Sequence, residues 1–211
     1  DIDEQRLAAY RTGQRDQIEH YVNEPGLVSI IAENMDRYLF FRNDLEPILE
    51  GTDAIFLCLP TPPKPDGSSD LSYYFKAVDH ICALLAKRQD TRRVVLVNKS
   101  TVPIGTARQL ERKLREFNVP NAGVASNPEF LPEGDAVEKS RRPDRVVVGA
   151  DTEDDFSIIR RIYSQFVNHV RTPGSALSPQ MQTAFNVVVV LMFAMWGMLL
   201  STMPDNIHVW I

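Results

Sequence analysis

Unbroken apolar runs alternate along this chain with stretches in which apolar residues return every three or four positions. Residues 54–59 are one such run, closed off by Asp53 and Pro60, and residues 93–97 predict a second. Runs this short, bounded by turn residues, suit parallel strands buried on both faces. Between them, Phe75, Val78, Ile81, Cys82 and Leu85 keep helical spacing behind a start at Asp70-Leu71-Ser72. Residues 105–117 predict an amphipathic helix, and residues 154–166 another with Ile158, Ile159, Ile162 and Tyr163 on its buried face. Shorter strands are expected at 38–41, 123–126, 145–148 and 167–170. Short helices are expected at 7–11 and 26–35, the second started by Glu24-Pro25-Gly26, with a helical turn from Asp44 to near Gly51. Residues 60–69, rich in Pro, Gly and Ser, predict a loop.

Strands separated by helices, with short connections, predict an α/β fold with a doubly wound parallel sheet. Pro173-Gly174-Ser175 marks a boundary between residues 1–171 and 172–211. Beyond it the pattern changes. No charged residue occurs from Thr172 to Pro204, and residues 187–200 are apolar apart from Gly197. This predicts a long apolar helix. Buried at a subunit interface, it would make the protein a homo-oligomer. About 20 such residues also suffice to span a bilayer, although no Lys/Arg cluster flanks the segment.

The chain has 211 residues, 44% hydrophobic and 24% charged, with a net charge of -5. That balance argues against nucleic acid as the main partner. Basic residues gather at 87–93 and 108–115, among acids and apolar residues that mark them as solvated helix faces. Two cysteines give neither a disulfide framework nor metal-ligand spacing, as expected in a reducing, cytoplasmic compartment. Cys58 sits inside an apolar strand and reads as packing rather than as a nucleophile. His20, His80, His169 and His208 show no ligand spacing. The acidic start, Asp1-Ile2-Asp3-Glu4, does not resemble a signal peptide.

Candidate chemistry concentrates in two segments, Lys99-Ser100-Thr101-Val102-Pro103-Ile104-Gly105-Thr106 and Asn127-Pro128-Glu129-Phe130-Leu131-Pro132-Glu133-Gly134. With Leu59-Pro60-Thr61-Pro62-Pro63 they make three loops at strand ends. There an open α/β sheet gathers ligands, and helix N-termini favour anions. The rigid backbone at Pro60-Thr61-Pro62 suits a surface lying along a cofactor, while Thr61 by itself reads as a turn residue. Of Ser100 and Thr101, at least one is expected to cap the following helix. Thr101 is then the hydroxyl left to orient a water or a cofactor group. Glu129 and Glu133 lie four apart. Phe130 and Leu131 would partly bury them and raise a carboxyl toward general acid/base use, although turn carboxylates are commonly just solvated.

The strings from Asp53 to Pro62, Asp66-Gly67, Asp70-Leu71-Ser72, Asn98 to Thr106, Ser126 to Gly134 and Arg142-Pro143-Asp144-Arg145-Val146 resemble the UDP-glucose/GDP-mannose dehydrogenases. The Lys-Ser-Thr-Val-Pro form looks like the branch acting on UDP-glucose. Asp1-Ile2-Asp3, Glu24-Pro25-Gly26-Leu27 and Leu39-Phe40-Phe41 also fit, so the resemblance covers residues 1–170. It implies a Rossmann-like NAD domain over 1–171, the start of a central dimerisation helix over 172–211, and a UDP-sugar substrate. The implied reaction oxidises a sugar C6 alcohol to a carboxylate in two hydride transfers to NAD. In the family a cysteine of a second domain carries a covalent intermediate.

By position in the motifs, the resemblance implies Asp1 at the adenosine ribose, with Arg6 nearby. Leu59, Pro60, Thr61, Pro62, Pro63, Ser100, Thr101 and Val102 would line the cofactor, with Glu133 at the nicotinamide side. Glu129 would serve as acid/base and Thr101 would position water. The segment Glu129-Phe130-Leu131-Pro132-Glu133 would meet substrate. Asn186 is carried over from the family's central helix, where Pro179 and Gln182 stand at its Glu and Lys positions. The sequence opens after the place of the family's first strand and Gly-x-Gly-x-x-Gly loop, so a domain lacking its first strand, truncated at both ends, is expected.

Overall fold

The computed structural model describes residues 3–128, 131, 134–143 and 145–164, together with the backbone of 185–191 and 207–210. Helix α1 (Glu4–Arg11) is opened by Asp3, whose carboxylate accepts the Gln5 and Arg6 amides. That satisfies donors a helix start leaves open. Then follow α2 (Arg15–Glu19), α3 (Leu27–Asn34), β1 (Leu39–Phe40), α4 (Glu46–Leu49), β2 (Ala54–Cys58), α5 (Ser72–Leu85) and β3 (Val94–Asn98). The remaining elements are α6 (Thr106–Glu116), β4 (Ala122–Ser126), α7 (Ala136–Arg141), β5 (Gly149–Ala150), α8 (Glu153–Tyr163), β6 (Phe185–Leu191) and β7 (Ile207–Trp210). Thus the expected buried strands and the amphipathic helix over 105–117 form within a residue or two of their predicted bounds, and the helix expected over 154–166 runs over Glu153–Tyr163.

The strands make one sheet in the order β1-β7-β6-β2-β3-β4-β5. All neighbours run parallel except β4 and β5. Side chains alternate across a strand, and here the alternation separates two cores. Ala54, Phe56, Val95, Val97 and Ala125 join α1, α3 and α8 on one face. Ile55, Leu57, Val94, Leu96 and Val124 join α5 and α6 on the other. Both faces being covered explains why β2 and β3 read as continuous apolar runs. Each fully buried Leu, Ile or Phe adds about 1.5–3 kcal/mol.

Four expectations change. Residues 145–148 are not a strand; the antiparallel edge is Gly149–Ala150. The Val147 carbonyl instead accepts the side-chain amide of Asn127, so a side chain takes the bond a ladder would use. Residues 87–93 are not a solvated helix face. They form a turn after α5 in which Arg88, its side chain 4% exposed, pairs with Asp90 at 2.8 Å.

The apolar segment does not begin as a helix, because Phe185–Leu191 is strand β6 beside β2, with Val187 opposite Ala54 and Leu191 opposite Cys58. Four consecutive valines explain it: β-branched side chains lose rotamer freedom in a helix and pack well on a pleat. The interface expected of a helix over 187–200 loses its basis, and residues 192–200 lie outside the described residues. Finally, the sheet has no gap of the kind a missing strand would leave, since β6 and β7 stand between β1 and β2. The expected strand at 167–170 lies outside the described residues. Among the described residues no helix is long and apolar enough to cross a membrane.

Candidate functional site at the carboxyl ends of the strands

Asn98, the last residue of β3, is paired with Leu57 of β2 and Ser126 of β4. The three strands therefore end level, and the loops at 59–63, 99–105 and 127–134 leave side by side. The sheet's order also reverses at β2, since β6 continues to β7 on one side and β2 to β3 on the other. Such a switch point is where open α/β sheets bind ligands.

The first two loops are stapled together. The Lys99 and Ser100 amides both donate to the Leu57 carbonyl, at 3.1 and 3.0 Å. The Ser100 hydroxyl accepts the Leu59 amide at 2.7 Å and lies 2.8 Å from the Leu59 carbonyl. The Thr61 hydroxyl donates to the Thr101 carbonyl at 2.8 Å. Ser100 is thus spent on holding the loops, and neither it nor Thr101 caps α6. That cap is Gly105, at φ +92, a left-handed conformation that suits glycine. Thr101 is exposed, and among the described residues its hydroxyl makes no hydrogen bond. Thr61 is a cross-link rather than a turn residue alone. Pro62 and Pro63 are exposed, while Leu59, Pro60 and Val102 are half-buried.

The third loop is clamped at both ends. At its start, Asn127 is buried, with Lys99 Nζ 3.2 Å and the Tyr163 hydroxyl 2.5 Å from its side-chain oxygen. At its end, the Glu24 carboxylate accepts the Gly134 amide at 2.9 Å and the Val137 amide at 3.2 Å, fixing the entry to α7. Leu131 is half-buried against the core shared with α3 and α8. Glu129, Phe130, Pro132, Glu133 and Asp1 lie outside the described residues.

Two predicted site residues stand elsewhere. Asn186 is the second residue of β6, just before the register position of Ala54, at the amino edge of the sheet. The five residues from there to Leu191 span roughly 16 Å, so the strand removes Asn186 from the loop cluster. Arg6 is buried in α1, ion-paired to Asp3 at 3.5 Å and stacked on the Tyr21 ring at 5.6 Å. Sequence reasoning did not find the roles of Glu24, Asn127 and Tyr163. Glu24 reads locally as a helix-start residue, and nothing in its spacing ties it to a loop 110 residues away.

Both cysteines are buried, and burial pushes the Cys82 thiol up to about 11, so it is inert at neutral pH. A groove of about 570 Å³ lies between α6, the start of β4 and the start of α8, away from the loops. Arg93 and Arg108 on its wall are engaged by Asp155 and by Glu111 and Asp151. No group of acids, His or Cys among the described residues is arranged to hold a metal.

The edge fits a dinucleotide. Thr101 presents a free hydroxyl, and α6 starts five residues further on, behind its Gly105 cap, with the positive end of its dipole. The side-chain oxygen of buried Asn98, at the end of β3, has no hydrogen-bond partner among the described residues. Space around Gly105 is open, with nothing within 4 Å of where a Cβ would stand.

Comparison with known proteins agrees with this geometry. Residues 1–167 match the UDP-glucose/GDP-mannose dehydrogenase family, NAD binding domain. The chain is 37% identical over 179 residues to a UDP-glucose 6-dehydrogenase of Pseudomonas aeruginosa, covering 80% of this chain and 37% of the relative. It is 40% identical over 157 residues to the UDP-glucose 6-dehydrogenase of Rhizobium meliloti, covering 73% and 34%. A solved UDP-glucose dehydrogenase from Pyrobaculum islandicum superposes with a TM-score of 0.68 at 35% identity, covering 78% of this chain and 37% of that one. The chain therefore spans little more than a third of the length of these relatives. It belongs to the UDP-glucose/GDP-mannose dehydrogenase family, and the part of that family it contains is the NAD-binding domain.

Proposed function

We propose that this chain is the cofactor-binding part of a cytoplasmic dehydrogenase that oxidises the C6 alcohol of UDP-glucose to UDP-glucuronate. The observation that supports it most is the trio of stapled loops at the level ends of β2, β3 and β4, in a domain whose cofactor is NAD. Leu59, Pro60, Thr61, Pro62 and Pro63 would form one wall of the cofactor site, and Ser100, Thr101 and Val102 the next. NAD supplies the hydride acceptor for each of the two oxidations. Ser100 holds the two walls at fixed spacing. Thr101, which is exposed, would orient a water or a cofactor amide. In this reading Glu129 serves as general acid/base toward the substrate and Glu133 faces the nicotinamide side, both on the loop between Asn127 and Gly134. Asp1 would reach the adenosine ribose, with Arg6 behind it. Phe130, Leu131 and Pro132 would contact the sugar nucleotide.

A second reading is a nucleotide-binding module without turnover. It is favoured by β6 and β7, which place a segment with little family likeness at the centre of the sheet. The rise of NADH absorbance on adding NAD with UDP-glucose, GDP-mannose or a UDP-N-acetylhexosamine separates the readings. Formation of NADH fastest with UDP-glucose supports the first. Formation with another sugar nucleotide alone overturns the substrate assignment. No NADH from a chain that binds NAD and is joined to a substrate domain of the family selects the second reading.

A further inference from the structure

Asn127 opens the third loop and is tied down in several directions. Its amide donates to the Asn98 carbonyl at 2.9 Å, and its side-chain N–H to the Val147 carbonyl at 2.8 Å. Its side-chain oxygen accepts both the Tyr163 hydroxyl, at 2.5 Å, and the Lys99 ammonium, at 3.2 Å. The ammonium also lies 5.9 Å from the centroid of the Tyr163 ring. Lys99 and Asn127 are 4% and 1% exposed, and Tyr163 is 4% exposed.

A cation in that position costs desolvation that a Leu or Met would not incur, so filling space does not account for it. The three residues come from three places. Lys99 begins the loop after β3, and Asn127 begins the loop after β4. Tyr163 ends α8, close to residue 167, where the family match stops. One amide oxygen thus joins two cofactor loops to the end of α8.

We propose that Lys99, Asn127 and Tyr163 are positioning residues. They lock the 99–105 and 127–134 loops to the last turn of α8, so the position of that turn sets the spacing of the cofactor loops. The proposal rests on the assignment of those loops to the cofactor. At the far end of the 127–134 segment the Glu24 carboxylate accepts the Gly134 amide, so both ends are held.

The test uses Tyr163→Phe, which deletes one hydroxyl and keeps the buried ring, and Lys99→Met, which deletes the charge and keeps the length. Amide hydrogen exchange is followed by segment in the whole chain, alongside a fluorescence titration with NADH. In both variants, exchange over 99–105 and 127–134 is expected to quicken by about fivefold or more. Amides of β2 and β3 should stay within about twofold, and NADH affinity should fall by about five- to tenfold. Unchanged loop exchange overturns the proposal. So does an equal quickening of loops and strands, the mark of a merely structural role. Failure of the unmutated chain to bind NADH overturns the cofactor assignment instead, and the exchange comparison still decides whether the lock exists.

Discussion

At the scale of single residues, the turn after α5 and the start of α8 show how charge is used inside this domain. Asp90 accepts from Arg92, Arg88 and the Gly51 amide; the hydrogen bond from the Arg92 side chain, then those from the Arg92 amide and Arg88, hold its carboxyl well below the usual range against the cost of burial. A depressed folded value stabilises the fold at pH above the unfolded carboxyl's value, near about 4, and that stability is lost as pH falls toward the folded value. Asp90→Asn should therefore cost about 1–3 kcal/mol in urea unfolding at pH 7. The difference from the parent chain should shrink progressively below about pH 4; a constant difference would show that the carboxylate's charge is not the cause.

At α8, Arg93 grips buried Asp155 with two bonds of 2.6 and 2.8 Å, and Thr152 caps the helix through the Asp155 amide. A methyl on Gly123 would overlap the Asp155 carboxylate. Gly123→Ala should cost roughly 3 kcal/mol or more, the scale of a broken buried ion pair, measured by thermal or denaturant unfolding; a neutral effect would contradict this packing. None of these pairings was legible beforehand. Arg93 and Asp155 are 62 residues apart, and only the fold brings them together.

Among the elements, legibility followed the strength of the local pattern. β2 and β3 are unbroken apolar runs, α5 and α6 keep helical spacing, and all four form where the pattern predicts. The short helices α2 and α7, of five and six residues, leave too few positions to show one. Residues 145–148 carry strand composition, yet the tie from Asn127 to Val147 diverts the backbone. The apolar run at 187–190 was ambiguous because hydrophobicity alone separates a buried strand from a buried helix poorly. Its β-branching was the overlooked signal. Proline at Val189, inside the centre of the sheet opposite Phe56, should remove a ladder bond and abolish cooperative unfolding. A cooperative transition retained in Val189→Pro would mean that β6 is not integral to the sheet.

For the molecule as a whole, the sheet is completed by strands from the far end of the chain. β1 pairs with β7 at Leu39 and Phe40, and β2 gains β6 as its second neighbour. Deleting residues 185–211 should expose one long edge of β2 and leave β1 without β7. The expected outcome is loss of the cooperative transition and aggregation; an equally stable monomer would refute the inner placement of β6 and β7. Of the candidate site, the three loops and the free hydroxyl of Thr101 were legible because motif and strand-end position coincide. The clamps at Asn127 and Gly134 were not, since each depends on partners distant in sequence.

The most direct test of the account is a calorimetric titration of the purified chain with NADH, repeated on Thr101→Val. The account predicts saturable one-site binding to the parent chain, weakened by about tenfold when the exposed hydroxyl is lost, a change on the order of 1.4 kcal/mol. Absence of binding, or affinity indifferent to Thr101, would contradict the assignment of the strand-end loops to the cofactor.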